Sequence, residues 1–407
     1  MREAATTISN PEWERTAQSD HNSDSDWNID RLLLPFIAVF FGFFIVVGMK
    51  MGAINMLNTL MSTAYELLLD TVFYIMAVAV LASAVGALLN EFGVVKLINR
   101  VLSPFMKPVW GLPGAASVGI ITTYLSDNPA IIALANDVGF RKYFKRYQIP
   151  ALTNLGTAFG MGAIISTFMI SLSGQSSDNL IMAVLIGNLA AAIGSIVSCR
   201  LMLVQTKRYY GDRAMDDMSD IPADVSDSDG GQAKRGFGMR FIDAILQGGK
   251  QGVDLGLSII PGVLIICSIV LILTNGPSAN GTYTGAAYEG IGLLPWIGQK
   301  LSFILSPLFG FTSAQAISVP ITALGAAGAA IGLVPRLLSS GLAGGNDIAV
   351  FTAMCMCWSG YLSTHLAMMD SLKCRDLAGK AILSHTIGGA VAGIAAHLLY
   401  MTFSMIF

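Results

Sequence analysis

Charged side chains are scarce in this chain, and their scarcity excludes most classes of soluble protein. Asp, Glu, Lys and Arg make up 12% of the 407 residues, whereas an average soluble domain contains about 25%. Apolar side chains make up 54%, and the mean hydropathy is +0.63. The composition therefore predicts a membrane protein. The formal net charge of −2 offers no basic surface for nucleic acid, so no nucleic-acid partner is expected.

The chain also lacks the motifs that hold metals, nucleotides or catalytic groups. Its five cysteines lie in or beside apolar runs, and only Cys355 and Cys357 are close in sequence, which is typical of helix packing. No phosphate-binding loop, GxSxG elbow, HExxH pair or dinucleotide fingerprint is present. We therefore expect neither an enzyme nor an ATP-driven pump, and we expect no resident metal or cofactor.

Long apolar runs provide the main positive signal, because a transmembrane helix needs about 20 consecutive apolar residues. Single spans are predicted at 33–55, 67–89, 148–173, 180–204, 255–274, 347–369 and 381–406. The expected fold class is accordingly an all-α polytopic membrane protein. The first 32 residues contain seven acidic and three basic side chains and lack the basic start of a signal peptide, so we expect a polar segment that is not cleaved.

Two further apolar runs, 93–136 and 291–336, are each interrupted by four prolines. Proline removes a backbone donor and breaks or kinks a helix. Interrupted backbone at membrane depth is tolerated only where protein or a water-filled cavity surrounds it. We therefore predict re-entrant hairpins or broken helices in both regions. Two ordinary kinked spans in each region are the alternative.

The distribution of basic residues predicts which segments face the cytoplasm. Lys and Arg concentrate in four segments that we assign to the cytoplasm, at 90–107, 137–147, 206–240 and 372–380. Three loops contain no Lys or Arg and are assigned to the outside, at 56–65, 174–179 and 275–290. We expect a multi-pass protein of the bacterial cytoplasmic (inner) membrane with a cytoplasmic N-terminus. The two broken regions would then enter the membrane from opposite sides.

The two halves of the chain resemble each other. Val101-Leu-Ser-Pro104 recurs as Ile304-Leu-Ser-Pro307, and the Ile186-Gly-Asn188 start of a small-residue helix recurs as Ile387-Gly-Gly389. Each half reads as a span, a broken hairpin, a span and a Gly/Ala-rich span, with opposite predicted orientation. This pattern predicts two inverted-topology repeats, an architecture in which secondary transporters bind substrate near the midplane.

These observations predict five segments. A polar cytoplasmic segment covers 1–32, and an extra transmembrane helix covers 33–55. The first repeat covers 67–205, and the second, inverted repeat covers 255–406. The residues between them, 206–254, are expected to form a cytoplasmic linker with an amphipathic interfacial helix from Phe241 to Asp254.

Polar side chains at membrane depth are costly and mark candidate sites. In the first half they concentrate at a proline break, where a freed backbone can face a ligand. Asp127 is the leading candidate for a coupling cation or proton, and the alternative is a cap of the next helix. Thr153 and Asn154 are expected to share one helix face with Thr157. Asn188 is expected to be a buried amide, and a structural bridge between helices is the alternative to a binding role. The candidate substrate- or ion-binding residues of this half are Thr123, Ser126, Asp127, Asn128, Thr153, Asn154 and Asn188.

The corresponding stretch of the second half, Thr322–Ala330, carries no charge, and its glycines permit close approach of backbone or ligand. Asp347 is the counterpart carboxylate of Asp127, and an external turn that caps a helix is the alternative. His365 can carry a proton or serve as a structural hydrogen-bond partner. The candidate residues of this half are Gly325, Gly328, Asn346, Asp347, Ser363, Thr364 and His365.

Three features together resemble the Gate, or nucleoside-recognition, membrane module. They are the two Gly/Pro-broken apolar regions, the Ser126-Asp-Asn-Pro129 turn and the Gly325-Ala-Ala-Gly-Ala-Ala330 stretch. That module is shared by concentrative nucleoside transporters, the membrane part of ferrous iron transporter B and spore maturation proteins A and B. The likeness covers about residues 67–405 and is greatest to two-module bacterial members of the YjiH type.

The resemblance to concentrative nucleoside transporters implies helical hairpins, alternating access, cation coupling and a trimer. Their acidic ribose-binding residues have no match in this sequence, and the G domain that accompanies iron transport is absent. The resemblance therefore implies a transporter architecture, with Asp127 and Asn128 as the polar equivalents.

The sequence thus predicts a secondary active transporter of a small polar solute, nucleoside-like or an organic anion, coupled to Na⁺ or H⁺. The alternative is a non-transporting membrane scaffold or envelope-assembly factor of the spore maturation type. The span 33–55 lies outside both repeats and carries Gly42, Gly48 and Gly52, which favours a homo-oligomer. The expected partners are therefore a small-molecule solute, the lipid bilayer and further copies of the chain.

Overall fold

The computed structural model describes residues 33–212 and 236–406. No β-strand occurs in those residues. Six helices there are long and apolar enough to cross a membrane, at Leu33–Met51, Ala53–Glu91, Arg146–Gln175, Leu180–Tyr210, Phe237–Thr274 and Arg375–Met405. The protein is therefore an all-α polytopic membrane protein, as predicted. The predicted polar segment 1–32 and most of the central linker lie outside the described residues.

The helices of the first half follow one another closely along the chain. They are α1 Leu33–Met51, α2 Ala53–Glu91, α3 Val94–Phe105, α4 Ala116–Leu125, α5 Ala130–Ala135, α6 Val138–Arg141, α7 Ile149–Thr157, α8 Gly162–Ser171 and α9 Leu180–Tyr210. The prediction of an external loop at 56–65 is wrong, because those residues belong to α2. Only Gly52, with φ 85°, separates α1 from α2, a backbone conformation that glycine adopts without strain.

The second half repeats this order of helices. They are α10 Phe237–Thr274, α11 Leu293–Lys300, α12 Ser302–Phe309, α13 Ser318–Ala323, α14 Ala327–Gly332, α15 Val334–Ser339, α16 Gly345–Cys357, α17 Tyr361–Ser371 and α18 Ala378–Ile406. The prediction of a separate interfacial helix at 241–254 is wrong. Those residues are helical, but they continue into the predicted span 255–274 as one 38-residue helix.

The long helices α2 and α10 occupy the same place in the two halves and pack against each other in opposite directions. Gly248 of α10 packs on Ala84, and Gly252, one turn later, packs on Val80. Gly256, another turn later, packs on Met76. Contact positions that rise along one helix and fall along the other define an antiparallel pair. Each helix also contains one π-helical segment, at Leu67–Val72 and Gly262–Cys267.

The helices α9 and α18 form the second pair of counterparts, and they also run antiparallel. A Cβ on Gly194 would lie 2.5 Å from the Gly388 carbonyl oxygen, and one on Gly388 would lie 2.7 Å from the Gly194 carbonyl oxygen. Ile186, earlier on α9, shares a cavity wall with Tyr400, later on α18. Inverted repeats require antiparallel packing of counterpart helices, and both pairs have it.

The two predicted broken regions are broken. In the first, α4 and α5 are joined by a tip at Ser126–Pro129, and in the second, α13 and α14 are joined by a tip at Leu324–Ala326. The chain also bends by 81° between α12 and the segment Ala314–Gly325. Each region therefore folds as short helices rather than as long continuous spans.

The span predicted at 148–173 is found as the crossing segment Arg146–Gln175, but neither it nor the predicted span 347–369 is one uninterrupted helix. The first is interrupted between α7 and α8, where Met161 has φ 56°. The second is interrupted between α16 and α17, where Gly360 has φ 72°. No proline lies at either interruption, so the sequence pattern did not predict them. Backbone groups released at such interruptions need partners inside the membrane.

The loop that joins α10 to α11 lies on the predicted outer side and is anchored by a buried glutamate. Glu289 accepts hydrogen bonds from the Thr284 N–H at 2.9 Å, the Thr284 hydroxyl at 2.7 Å and the Gly285 N–H at 3.0 Å. Burial alone would raise the pKa of Glu289. The hydrogen bonds stabilise the carboxylate more strongly, so its pKa lies below the ordinary value of 4.5.

We expect Glu289 to make the loop acid-sensitive. A carboxyl whose pKa is lowered by folding contributes stability above the unfolded pKa and loses it as the pH falls through the folded value. The thermal-unfolding midpoint should therefore fall below about pH 4.5, and Glu289→Gln should reduce that fall. Thermal melts of the purified protein across this pH range test the expectation. An unchanged acid response in the variant would contradict it.

Candidate functional site

The tip of the first hairpin is joined to the helix interruption of the second half. Asn128 lies at that tip, and its side chain is 1% exposed. Its Nδ2 donates to the Ser359 carbonyl oxygen at 2.7 Å, and the Ser359 hydroxyl donates to Asn128 Oδ1 at 2.8 Å. Ser359 lies between α16 and α17, 231 residues away in sequence. The amide of Asn128 is therefore held on both sides by one residue of the other repeat.

The helix interruption of the first half meets the same amide. A Cβ on Gly160 would collide with Asn128 Oδ1 and would lie 2.6 Å from Ser359 Oγ. The Ser359 hydroxyl is also 3.2 Å from the carbonyl oxygen of Thr157, at the end of α7. The Thr157 carbonyl oxygen also accepts the Gly160 N–H at 3.3 Å. One hairpin tip and both interruptions thus converge within hydrogen-bonding distance.

The second tip reaches the same interruption through backbone alone. The Gly360 N–H donates to the Ala323 carbonyl oxygen at 3.1 Å, and a Cβ on Gly360 would lie 3.1 Å from the Gly325 carbonyl oxygen. The left-handed conformation of Gly360 favours glycine at this position. Gly328 lies farther along, where its missing Cβ makes room for Ile259 of α10. Gly325 therefore belongs to the convergence, whereas Gly328 packs the hairpin against α10.

The polar row on α7 faces the second half. Thr153 and Thr157 are fully buried. The Thr157 hydroxyl donates to the Thr153 carbonyl oxygen at 2.9 Å and lies 3.5 Å from Nδ1 of His365. The Thr153 hydroxyl lies 3.5 Å from the sulfur of Met369. Thr153 and Thr157 of the first repeat and His365 of the second are thus brought together.

Asn154 extends this row toward α9 and α18. Its Nδ2 donates to Ser198 Oγ at 2.9 Å and to the Ala381 carbonyl oxygen at 3.2 Å. The Ser198 hydroxyl lies 2.8 Å from Nδ1 of His385, whose Nε2 bonds to the Cys357 carbonyl oxygen at the end of α16. A continuous buried network therefore links the polar row to the second interruption.

Asp127 lies beside the buried convergence rather than inside it. Its Oδ1 accepts the Asn128 N–H at 2.7 Å, as in a local turn. The residue also borders a cavity of about 440 Å³ together with Ser83, Gln251 and Asp254. A neighbouring cavity of about 410 Å³ shares Ser83, Ser126 and Gln251 with it. Asp127 therefore faces a space between the first hairpin and the α2/α10 pair, and several polar side chains border that space.

A further cavity of about 480 Å³ lies toward the other predicted side of the membrane. It is bordered by Asp70, Thr71, Tyr74, Tyr288 and Arg336, among others. The Arg336 guanidinium lies 4.2 Å from the centre of the Tyr288 ring, in a cation–π contact. Residues of α15, which follows the second hairpin, line this cavity. Residues of the first hairpin line the two cavities near Asp127.

Asn346 and Asp347 are placed at the start of α16, away from the hairpin tips. Asp347 Oδ1 accepts the Thr312 N–H at 3.1 Å, and Oδ2 accepts the Gly344 N–H at 2.9 Å and the Thr312 hydroxyl. Asn346 donates to the Phe309 carbonyl oxygen at 2.9 Å. These contacts favour the alternative of a helix cap for Asp347, because its oxygens are occupied by local donors.

The remaining predicted residues make bonds within their own helices or nearby. The Thr123 hydroxyl donates to the Gly119 carbonyl oxygen at 2.8 Å, and the Ser126 hydroxyl donates to that of Thr122 at 2.7 Å. The Thr364 hydroxyl donates to the Gly360 carbonyl oxygen at 3.0 Å. Asn188 Nδ2 donates to Ser166 Oγ at 2.9 Å. Ser363 lies in α17, and its side chain is outside the described part of the structure.

Sequence reasoning missed several members of the buried network. Ser198 and Tyr361 gave no signal, because single hydroxyl groups on apolar helices are common. His385 was not among the predicted residues, yet its ring centre is 4.8 Å from that of His365. Asp254 was assigned to an interfacial helix. The described residues contain no group of three or more His, Cys, Asp or Glu placed to hold a metal ion.

No protein-family model and no curated protein matches the chain. Solved structures of the concentrative nucleoside transporter CNTnw have a similar fold. A CNTnw variant in an outward-facing state has 14% identity and a TM-score of 0.55, covering 93% of this chain and 86% of that one. CNTnw in an inward-facing substrate-bound state has 13% identity and a TM-score of 0.53, covering 96% and 86%. Another outward-facing variant gives 14% identity, a TM-score of 0.50 and coverage of 80% and 75%.

These likenesses establish a fold like that of a concentrative nucleoside transporter. The identity of 13–14% is too low to carry more than the fold. The wider relation to ferrous iron transporter B and to the spore maturation proteins stays a prediction.

Proposed function

We propose that the protein is a secondary active transporter of a small polar solute, nucleoside-like or an organic anion, that works by alternating access. The observation that carries the proposal is the convergence at Asn128, Gly160, Ser359 and Gly360 of both hairpin tips and both helix interruptions. Interrupted backbone inside a membrane is tolerated only where it is buried in protein or lines a water-filled cavity. Broken elements that meet between inverted repeats are the usual setting of such a site.

The cavities support a pathway from each side of the membrane. Alternating access requires a central site that one side reaches while the other side is closed. The cavities beside Asp127 border the first hairpin, and the cavity beside Arg336 lies toward the second. Asn128, between them, is almost completely buried. This arrangement suits a closed centre with one approach from each predicted side.

The similarity in fold to CNTnw supports the same proposal. That transporter is described in outward-facing and inward-facing substrate-bound states, and both resemble this chain. A fold that serves alternating access in that protein is therefore suited to the same movement here. The solute of this protein is proposed only as a chemical class.

We further propose that transport is coupled to Na⁺ or H⁺ through the cavity beside Asp127. Asp127 and Asp254 both border that cavity, one from the first hairpin and one from α10. Two carboxylates that border one cavity attract a cation, and movement of the hairpin relative to α10 would change their separation. Binding of the cation would thereby favour one position of the hairpin.

Asp127→Asn is expected to reduce cation-dependent uptake roughly tenfold, since it removes the charge while keeping the shape. Asp137→Asn is the matched control, because Asp137 lies near the predicted cytoplasmic loop, where its Oδ1 accepts the Phe140 N–H at 2.7 Å. Uptake of radiolabelled uridine and succinate into proteoliposomes, with and without a Na⁺ or H⁺ gradient, measures both variants. If both behave like the parent, coupling does not depend on Asp127.

We propose the bacterial cytoplasmic (inner) membrane as the location, with the N-terminus in the cytoplasm. Support comes from the basic segments on one predicted side and from their absence in the loops on the other. Cysteine labelling from outside intact cells at Ser278, in the α10–α11 loop, and at Ser340, after α15, should succeed. A cysteine introduced at Gly379, inside the basic segment 372–380, should stay unlabelled; the opposite pattern would reverse the topology.

We propose that the protein forms a homo-oligomer through α1. Only 6% of this helix is buried, and large apolar side chains such as Leu34, Val39 and Met49 are exposed on it. Either lipid or a second copy of the chain can cover such a face, and the number of copies in the purified protein distinguishes the two. Native mass spectrometry in mild detergents should show more than one copy, and monomers under all conditions would contradict the proposal.

A further inference from the structure

The cavity on the predicted outer side carries two opposite charges that do not pair. Its volume is about 480 Å³, and Asp70 of α2 and Arg336 of α15 both border it. Within the described residues, neither of these side chains forms an ion pair or a hydrogen bond. Charged side chains inside a membrane protein ordinarily pair with one another, because an unpaired charge there is costly. The carboxylate and the guanidinium are therefore both available to a ligand.

The Arg336 guanidinium is held in place by Tyr288, 4.2 Å from the centre of its ring. Tyr288 is itself anchored to α2, because its N–H donates to the Thr63 hydroxyl at 2.9 Å. Its φ of 65° is rare for a bulky side chain, and residues held in such conformations cluster at binding sites. A guanidinium that rests on an aromatic ring keeps its N–H groups for a carboxylate, which accepts two of them side by side.

Asp70 is placed near the same tyrosine by an irregular turn of α2. It lies in the π-helical segment Leu67–Val72, and such segments are frequent at functional sites. Burial raises the pKa of Tyr288 to about 12, the carboxylates of Glu66 and Asp70 add to that increase, and the Arg336 guanidinium opposes it. Asp70 and Arg336 therefore both lie close enough to this phenol to act on its charge.

Much of the remaining wall of this cavity is apolar. Large apolar side chains from both halves of the chain contribute to it, namely Leu67, Phe168, Leu172, Leu271 and Leu333. A cavity of several hundred cubic ångströms with apolar walls and a few polar groups is the usual form of a small-molecule site. Apolar walls favour a ligand that buries an apolar group of its own. The wall therefore adds a third requirement to the two charges.

We propose that this outer cavity binds a small zwitterion with an apolar side group, such as a free apolar amino acid. The ligand carboxylate pairs with the Arg336 guanidinium, the ligand ammonium group pairs with the Asp70 carboxylate, and the side group packs on the apolar wall. A simple anion leaves Asp70 unpaired and a simple cation leaves Arg336 unpaired, so both bind less well. The inference goes beyond the proposed transport function, because binding here does not require that the ligand crosses the membrane.

Ligands that share one shape but differ in charge test the proposal by isothermal titration calorimetry of the purified full-length protein. The first set is leucine, 4-methylpentanoate, which lacks the amino group, and 3-methylbutylamine, which lacks the carboxylate. The second set is phenylalanine, 3-phenylpropionate and 2-phenylethylamine. In at least one set, the amino acid should bind roughly tenfold or more tightly than either analogue, because each analogue lacks one charge-assisted contact.

Two variants locate the binding at this cavity. In Arg336→Gln, the amino acid should bind no more tightly than the amine analogue, because the partner of its carboxylate is lost. In Asp70→Asn, it should bind no more tightly than the carboxylate analogue. Lys300→Gln, at the end of α11 and outside the cavity wall, is the control and should bind as the parent does. Amino-acid binding that survives unchanged in Arg336→Gln and Asp70→Asn would overturn the site.

The comparison of ligands in the parent protein needs no substitution, so it decides the question even if a variant does not fold. Equal binding of an amino acid and its carboxylate analogue in both sets, or no binding of either amino acid up to about 10 mM, would overturn the zwitterion site. The measurement uses no membrane gradient and is therefore separate from transport. If leucine or phenylalanine binds at the cavity but no solute is taken up by proteoliposomes, the transport function fails and this site stands.

Discussion

Replacing Gly160 with alanine is expected to abolish solute uptake without unfolding the protein. The new Cβ would collide with Asn128 Oδ1 and would lie 2.6 Å from Ser359 Oγ. Both are side-chain atoms at a hairpin tip and a helix interruption, so the tip can move away while the helices stay packed. A displacement of about 1 Å at a site can reduce a rate roughly 100-fold, and we expect a loss of that size.

The matched control is Gly174→Ala, because a Cβ on Gly174 would meet nothing within 4 Å. Uptake into proteoliposomes should be normalised to the amount of monodisperse protein after gel filtration. Gly174→Ala should transport as the parent does. If Gly160→Ala takes up solute as fast as the parent protein, the prediction is contradicted, and transport does not require the first hairpin tip to pack against Gly160.

Removing the Asn128 side chain is expected to have the second largest effect. Asn128→Ala leaves the Ser359 carbonyl oxygen without its partner and removes the acceptor of the Ser359 hydroxyl. Buried polar groups without partners cost about 1–3 kcal/mol each. The closed arrangement of the tip should therefore become less populated, and uptake should fall roughly 30-fold or more.

A double-mutant cycle with Ser359→Ala separates this contact from other effects. Ser359→Ala removes one of the two hydrogen bonds and keeps the carbonyl oxygen, so its effect should be the smaller one. Each uptake rate is converted to an activation free energy. The effect of the double variant should differ from the sum of the two single effects by about 0.5–3 kcal/mol. Asn136→Ala in the same hairpin is the control, since no hydrogen bond of that side chain occurs within the described residues. Additive effects of Asn128→Ala and Ser359→Ala would contradict a direct functional contact.

The sequence predicted the fold class and the broken regions because both depend on local signals. Apolar runs of sufficient length marked six of the crossing helices, and prolines marked the two hairpin regions. Helix ends were less predictable. The loop at 56–65 and the separate helix at 241–254 were wrong, because helix α2 and helix α10 continue through polar or amphipathic residues when a long partner packs along them.

Sequence reasoning identified only part of the convergence around Asn128. Asn128 was identified from its position at a proline break, and it lies at the centre of the convergence. Gly160 and Ser359 were not among the predicted site residues. Their contact with Asn128 joins residues that are far apart in sequence, and no local pattern encodes such a pairing. The interruptions beside them contain no proline, so a single sequence gives no reason to break those helices.

The proposed equivalence of Asp127 and Asp347 illustrates a different limit. Both carboxylates occupy turns before apolar helices, and the sequence does not distinguish a ligand from a cap. The structure supplies donors to Asp347 from Thr312, 35 residues upstream, and from Gly344. Asp127 has a single local donor and borders a cavity. Tertiary contacts therefore separate two residues that local sequence makes alike.

The most direct test of the account is gradient-driven uptake by the purified protein. Proteoliposomes are loaded with and without a Na⁺ or H⁺ gradient and offered a panel of radiolabelled nucleosides and organic anions. The account predicts saturable uptake of at least one solute that an ion gradient accelerates and that Gly160→Ala abolishes. Absence of uptake for every solute, together with a partner protein that co-purifies regardless of Asn128, would contradict transport and favour a membrane scaffold.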